Sequence, residues 1–231
     1  DMLSNTFADE FKNCDAVNEA LRGLDWRKSK GKGKNGKEKL EEKLDQLFTT
    51  DSKTTGREQS DITGLIGQYA HGNEPSHHIA YLYNYTSSPH KAQKLLNKIM
   101  NEFYTNRPDG LIGNEDCGQM SAWFVMSAIG FYPVNPSNNQ FFWGSPQFEK
   151  VILKSDKGFE VELSALHKSV NSYYLKSIEI TDKETGKVSL YNKPGIDFET
   201  LTNSSNISFV MDSIPFISFD NVADEKALSN Y

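Results

Sequence analysis

The sequence predicts an α+β protein, with a helical half followed by an antiparallel β module. Three observations carry this. Between about Glu38 and Pro133 apolar residues recur at helical spacing; after Pro133 they alternate with polar ones; and turn-forming clusters divide the second half into short segments. Helices first and strands second is the ordering of an α+β chain, with the helices suiting a bundle or an α/α toroid.

Taken in order, residues 1–38 are polar. Asp15–Arg22 has the pattern of a short, weakly amphipathic helix, and the Lys/Gly run Arg27–Lys37 has no apolar periodicity, as in a solvated linker. The helical part is expected over 39–135. Leu40, Leu44 and Leu47 share one face; Leu65 and Ile66 open a segment that continues helically through Gly67-Gln68-Tyr69-Ala70. Ala92, Leu95, Leu96, Ile99 and Phe103 fall at i, i+3, i+4, i+7 and i+11 behind Pro89, a residue suited to a helix start. Met120, Trp123, Phe124, Ser127 and Ala128 line a further helix, with Gly130 as its C-cap.

The β module is expected over 136–231. Phe148–Leu153, Phe159–Leu163 and Leu175–Ile180 alternate, separated by Asp156-Lys157-Gly158, Lys183-Glu184-Thr185-Gly186 and Lys193-Pro194-Gly195. Ile207–Met211 adds another strand, and a sandwich packed on the helices is the expected arrangement.

Composition excludes several classes. A formal net charge of −6 is wrong for a general nucleic-acid binder, which needs surplus Lys and Arg. No apolar run reaches the roughly 20 residues that span a bilayer, and Asp1–Phe7 lacks the pattern of a signal peptide. Two cysteines, Cys14 and Cys117, do not make a disulfide framework. There is no phosphate-binding glycine loop, no G-x-S-x-G elbow and no C-x-x-C.

Two polar constellations could carry chemistry. The first is His71-Gly72-Asn73-Glu74-Pro75-Ser76-His77-His78, which holds three of the five histidines. Its Gly and Pro suit a rigid loop ahead of a helix start. His71, His77 and His78 offer nitrogen to zinc, although their spacing matches no zinc motif. Asn73 and Glu74 offer the hard oxygens that calcium takes. Capping and packing alone is the third option. The second constellation is Gly113-Asn114-Glu115-Asp116-Cys117-Gly118-Gln119-Met120-Ser121-Ala122-Trp123. One carboxylate at a helix start can be a cap, but a pair leaves one over, and a loop carboxylate can activate water as a general base. A polar loop, Thr49–Gln59 with Arg57, could line a subsite or simply be solvated.

These segments, with Thr50–Arg57, Phe131-Tyr132-Pro133-Val134 and Gly144-Ser145-Pro146, closely resemble the glycoside hydrolase 92 α-mannosidases, over roughly residues 39–220. The resemblance implies an (α/α) barrel, calcium dependence and inverting exo-removal of α-linked, often α-1,2, mannose from glycans. It also implies a secreted, periplasmic or cell-surface location. By position, Asn73 and Glu74 look like metal ligands and Asp116 like the general base, with Asn114 and Glu115 beside it. His77, His78, Gln119 and Trp123 look like substrate contacts.

The family's general-acid glutamate lies upstream of the segment matching residues 39–50, where this chain has its Lys/Gly run. Its β-sandwich and the rest of its barrel have no counterpart here. The chain is therefore expected to be a fragment bearing the base and calcium half of the site. A non-catalytic mannose- and calcium-binding remnant is the alternative, and a zinc hydrolase a weaker third.

Overall fold

The computed structural model describes residues 36–53, 62–156 and 158–216. The short helix expected over 15–22, most of the Lys/Gly run, Cys14 and Arg57 lie outside these residues. Helix α1 (Gly36–Thr49) begins inside the expected linker and buries Leu40, Leu44 and Phe48, a stripe repeating every fourth residue. Helix α2 (Pro89–Glu102) starts at Pro89 and buries Ala92, Leu96, Ile99 and Met100. Helix α3 (Gln119–Ile129) buries Met120, Trp123, Ser127 and Ala128 and stops at Gly130, whose φ of 121° suits glycine. Lys91 on α2 reaches Glu41 at 2.7 Å and Asp45 at 2.6 Å, tying it to α1.

Residues 65–70 do not continue the helical texture. They form a hairpin of β1 (Leu65–Ile66) and β2 (Tyr69–Ala70), with Leu65 opposite Ala70 and Ile66 opposite Tyr69. The reason is Gly67, which takes φ 62° at the first central position of a two-residue turn, where such hairpins require glycine. The polar loop after it folds as two 3₁₀ segments, Glu74–Ser76 and Ile79–Tyr85.

The strands make two sheets. β3 (Phe131–Tyr132), β4 (Gln140–Trp143) and β9 (Gly195–Asp197) form a three-stranded sheet in that order. β5 (Lys150–Lys154), β6 (Glu160–Leu166), β7 (Tyr174–Asp182), β8 (Val188–Leu190) and β10 (Ser204–Asp212) form the second, ordered β5-β6-β10-β7-β8. It is not purely antiparallel, because β10 runs parallel to β6 while antiparallel to β7. Inserting β10 centrally lines up Leu163, Ile207 and Ile180 in one row and Ala165, Phe209 and Ile178 in the next. These rows pack on Phe131, Trp143 and Ile196 of the smaller sheet and on Leu201 of the short helix α4 (Phe198–Thr202).

A second apolar cluster joins α1, α2, α3, the 3₁₀ segment Ile79–Tyr85 and Phe142. The two halves touch closely: a Cβ at Gly144 would sit 3.0 Å from the Tyr81 hydroxyl, and the buried Gln93 Oε1 accepts from Leu175 N at 3.0 Å. Helix and sheet are thus both present, and the described helices form a layer rather than a closed ring. Among the described residues no helix is long and apolar enough to cross a membrane.

Gly67 gives a direct test of the hairpin. A Cβ there would overlap the Leu47 carbonyl oxygen and force a left-handed backbone on an L side chain. Gly67→Ala should lower unfolding stability by about 2 kcal/mol or more in a urea titration. An unchanged midpoint would contradict the turn.

Candidate functional site

Three stretches of backbone converge at one end of the helical layer. Thr63 O and Gly64 O accept from Gly72 N and His71 N, both at 3.1 Å, placing the polar loop directly after the hairpin. The chain returns at residues 103–113, where Thr105 N donates to Gly110 O at 2.8 Å and Ile112 N to Phe103 O at 3.2 Å. Gly113, at φ 76°, then packs so closely that a Cβ on it would lie 2.6 Å from Thr63 Oγ1 and 3.7 Å from Gly72 Cα. Each of these neighbouring glycines is followed by Asn-Glu: Gly72-Asn73-Glu74 and Gly113-Asn114-Glu115. The duplicated tripeptide was visible in the sequence and is the signal that sequence reasoning missed.

Beneath the two loops lies a ring of buried polar side chains. His71 is 0% exposed and His77 1% exposed, with ring centroids 4.8 Å apart in a stack. Trp123 meets His71 edge-on at 4.4 Å and donates its indole N–H to His77 O at 2.9 Å. His71 Nδ1 lies 2.8 Å from the Tyr69 hydroxyl and Nε2 2.7 Å from that of Tyr104. Tyr104 in turn donates to Met120 O at 3.2 Å. His77 Nε2 lies 3.0 Å from His71 O, and Nδ1 3.1 Å from Gln119 Nε2. Tyr104 and Tyr69 were not singled out in the sequence, since an isolated Tyr carries no motif.

Burial sets the charge state of this ring. It pushes His71 down to about 3, with His77 adding to the effect. Burial likewise pushes His77 down to about 4, against the opposing pull of its bond to His71 and of the Asp116 carboxylate. Both rings are therefore neutral near pH 7.

The second loop is held in unusual backbone. Asp116 and Cys117 take φ of 52° and 56°, ahead of Gly118 at 96°. Two successive non-glycine residues there cost energy that the surroundings must sustain, a pattern concentrated at functional sites. The Asp116 and Glu115 carbonyls accept from Gln119 N and Met120 N, and the Glu115 carboxylate accepts from Ser121 N at 3.2 Å and Ser121 Oγ at 3.0 Å. The N-cap itself is Gly118, and the Glu115 carboxylate satisfies a first-turn N–H of α3 from outside the helix. That leaves Asp116, whose Oδ2 is buried, as the loop's acid beside His77.

The structure sorts the remaining expected residues. Asn73 and Asn114 are exposed, and Glu74, His78 and Gln119 half-buried, so these can face a ligand. Trp123 and His77 are both fully buried with their polar atoms given to protein partners. They support the site from below.

The donors also discriminate between metals. Both ring nitrogens of His71 and of His77 are engaged in hydrogen bonds, so neither ring offers a free lone pair to zinc; among the described residues no three His, Cys, Asp or Glu group to hold a metal ion of any kind. Asn73, whose side chain makes no cap bond, and Glu74 provide oxygen donors instead. That set fits a hard cation whose shell is completed by carbonyls, water or ligand hydroxyls.

Comparisons with known proteins identify the family. The family model for the glycosyl hydrolase family 92 catalytic domain matches residues 32–213, and the chain belongs to that family. A GH92 alpha-mannosidase from Bacteroides thetaiotaomicron, solved with mannoimidazole, superposes with a TM-score of 0.71 at 39% identity, over 80% of this chain and 24% of that one. A GH92 inverting mannosidase from the same organism gives 0.62 at 31% identity, over 77% of this chain and 24% of that one. An uncharacterized secreted glycosidase of Arthroderma benhamiae is 34% identical over 83 residues, 36% of this chain and 11% of the fungal protein. The chain thus spans 24% of the length of these solved relatives.

The neutral histidines make stability depend on acid. An unfolded histidine takes up its proton near pH 6.5, whereas folded His77 does so only near 4 and His71 near 3. Between those values the unfolded chain binds more protons, so stability present above pH 6.5 is lost on acidification. Urea titrations in chelator at pH 7 and pH 5 should differ by about 2 kcal/mol for each ring. His77→Gln should lose correspondingly less over the same interval; an identical pH dependence in the variant would contradict the assignment.

Proposed function

We propose that this chain bears the base and calcium half of an inverting, calcium-dependent exo-α-mannosidase, acting on terminal α-1,2-linked mannose of glycans outside the cytoplasm. The single observation that carries the reading is the proximity of Gly72 and Gly113, close enough that a Cβ on Gly113 would lie 3.7 Å from Gly72 Cα. The Asn73–Glu74 and Asn114–Asp116 segments leave the backbone from these two neighbouring glycines, which supports assigning them to one site. Family membership, the mannosidase relatives and the secreted fungal glycosidase support the reaction class and the location. We assign the helices to part of an (α/α) barrel on the same grounds.

In this reading Asp116 takes a proton from the water that attacks the anomeric carbon. Its left-handed backbone aims the carboxylate, and the bonds from Ser121 to Glu115 fix the loop to α3. An inverting hydrolase needs about 6.5–9.5 Å between base and acid so that this water fits. The leaving oxygen requires an acid, and the resemblance places that glutamate upstream of residue 39. Asn73 and Glu74 would hold calcium, which when bound supplies a positive charge that can engage vicinal sugar hydroxyls. Asn114, Gln119 and His78 are assigned to sugar hydroxyls at the rim.

The test is sugar release from α-1,2-mannobiose, with the product anomer followed by NMR. With the acid upstream of residue 39, release by this chain should be slow, supported by calcium with inversion and abolished by a chelator. Asp116→Asn should lower kcat by about 10²–10⁴-fold. Undiminished activity in Asp116→Asn would remove the base assignment. Calcium-dependent mannose binding without any release would instead establish a non-catalytic binding chain.

A further inference from the structure

We infer that His71 is a positioning residue: pinned between the hydroxyls of Tyr69 and Tyr104, it holds His77 in one tautomer and so fixes which end of the Gln119 amide faces the site. The catalytic consequence rests on the hydrolase reading above; the orientation itself does not.

The direction of every proton in the ring follows from its partners. Tyr104 has two candidate acceptors, His71 Nε2 at 2.7 Å and the Met120 carbonyl at 3.2 Å, whereas among the described residues the Tyr69 hydroxyl has His71 Nδ1 alone; with Tyr69 donating there, Tyr104 gives its proton to Met120. At His71 it therefore accepts, and His71 Nε2 carries a proton. The neutral ring leaves Nδ1 bare, as the bond from Tyr69 requires. With both nitrogens pinned, the ring and backbone of His71 are fixed, and the His71 carbonyl faces His77 Nε2 at 3.0 Å. A carbonyl only accepts, so Nε2 of His77 is protonated and Nδ1 is bare. Gln119 lies 3.1 Å from Nδ1, and only its NH₂ end can serve there, because an oxygen would set lone pair against lone pair.

Gln119 Nε2 also reaches the Tyr132 hydroxyl at 3.4 Å. The amide is thus turned with its NH₂ group inward and its carbonyl oxygen away from His77. Among the described residues no donor reaches that oxygen. An acceptor at the first residue of α3, three positions from Asp116, selects a sugar hydroxyl as donor.

Packing alone does not account for the ring. An apolar side chain in place of His71 would fill the space with fewer polar atoms to satisfy. The His71–Tyr104, His77–Gln119 and His77–Trp123 bonds all join segment 69–77 to segment 104–123, the two that carry the loops. Among the described residues the only buried histidines are His71 and His77.

Long-range ¹H–¹⁵N correlation of the imidazoles in the full chain decides the matter. The wild type should show the Nε2–H tautomer alone at His71 and at His77. Tyr104→Phe keeps the ring that packs on Trp123 and Phe124 but removes the hydroxyl. It should convert His71 to a tautomer mixture and, by loosening the His71 carbonyl against His77, lower kcat on the order of tenfold with KM unchanged. Should that variant fail to fold, Tyr69→Phe applies the same test at the other nitrogen. An Nδ1–H tautomer at His77 in the wild type, or an unmoved His71 tautomer in both variants, would overturn the inference. If tautomers behave as stated but the wild type releases no sugar, the hydrolase reading falls and the positioning role stands.

Discussion

The hydrogen bonds that satisfy His71 on both ring nitrogens are the constraint on which the site depends. A fully buried imidazole left without partners would cost a few kcal/mol, so the chain must deliver two tyrosine hydroxyls to fixed points. Tyr69 arrives through the β1–β2 hairpin and Tyr104 through the turn that follows α2. Meeting that requirement brings the two glycine-led loops close together as a geometric consequence. The network is satisfied in one arrangement only, which is how a buried polar cluster specifies a unique core.

The rest of the fold serves as backing for this end. The helical cluster locks α1, α2 and the 3₁₀ segment Ile79–Tyr85 around the ring, and Lys91 clamps α1 from outside through Glu41 and Asp45. The five-stranded sheet gives α3 a firm floor, since Phe209 lies under Gly130, where α3 stops. Strain at Asp116 and Cys117 is tolerable because Glu115, Gly118 and the α3 backbone hold that loop from both sides. Stability and site geometry are thus one problem in this chain, solved by the same contacts.

Much of this was legible in the sequence. Pro89, Gly130 and the spacing of Leu96 and Ile99 marked α2 and α3, and alternation marked β6, β7 and β10. The hairpin at 65–70 was not legible, because two-residue strands are too short to show a period and Gly67 acts through its backbone angle alone. The parallel pairing of β6 with β10 joins segments some forty residues apart, and local pattern carries no trace of it. At the site, motif reasoning found both loops but not the depth of each residue. Trp123 and His77 look like sugar contacts in a string of polar residues, yet the helical face shared with Met120 and Ser127 takes Trp123 into the core. The bonds from Ser121 to both oxygens of Glu115 were equally invisible in the sequence.

The central claim is that the two Gly-Asn-Glu loops make one ligand site. It is tested most directly by titrating calcium with mannose into the ¹⁵N-labelled chain and following backbone amides. The account predicts that Asn73, Glu74, Asn114 and Asp116 shift together along a single binding curve. Shifts confined to one loop, or two curves with different midpoints, would contradict it.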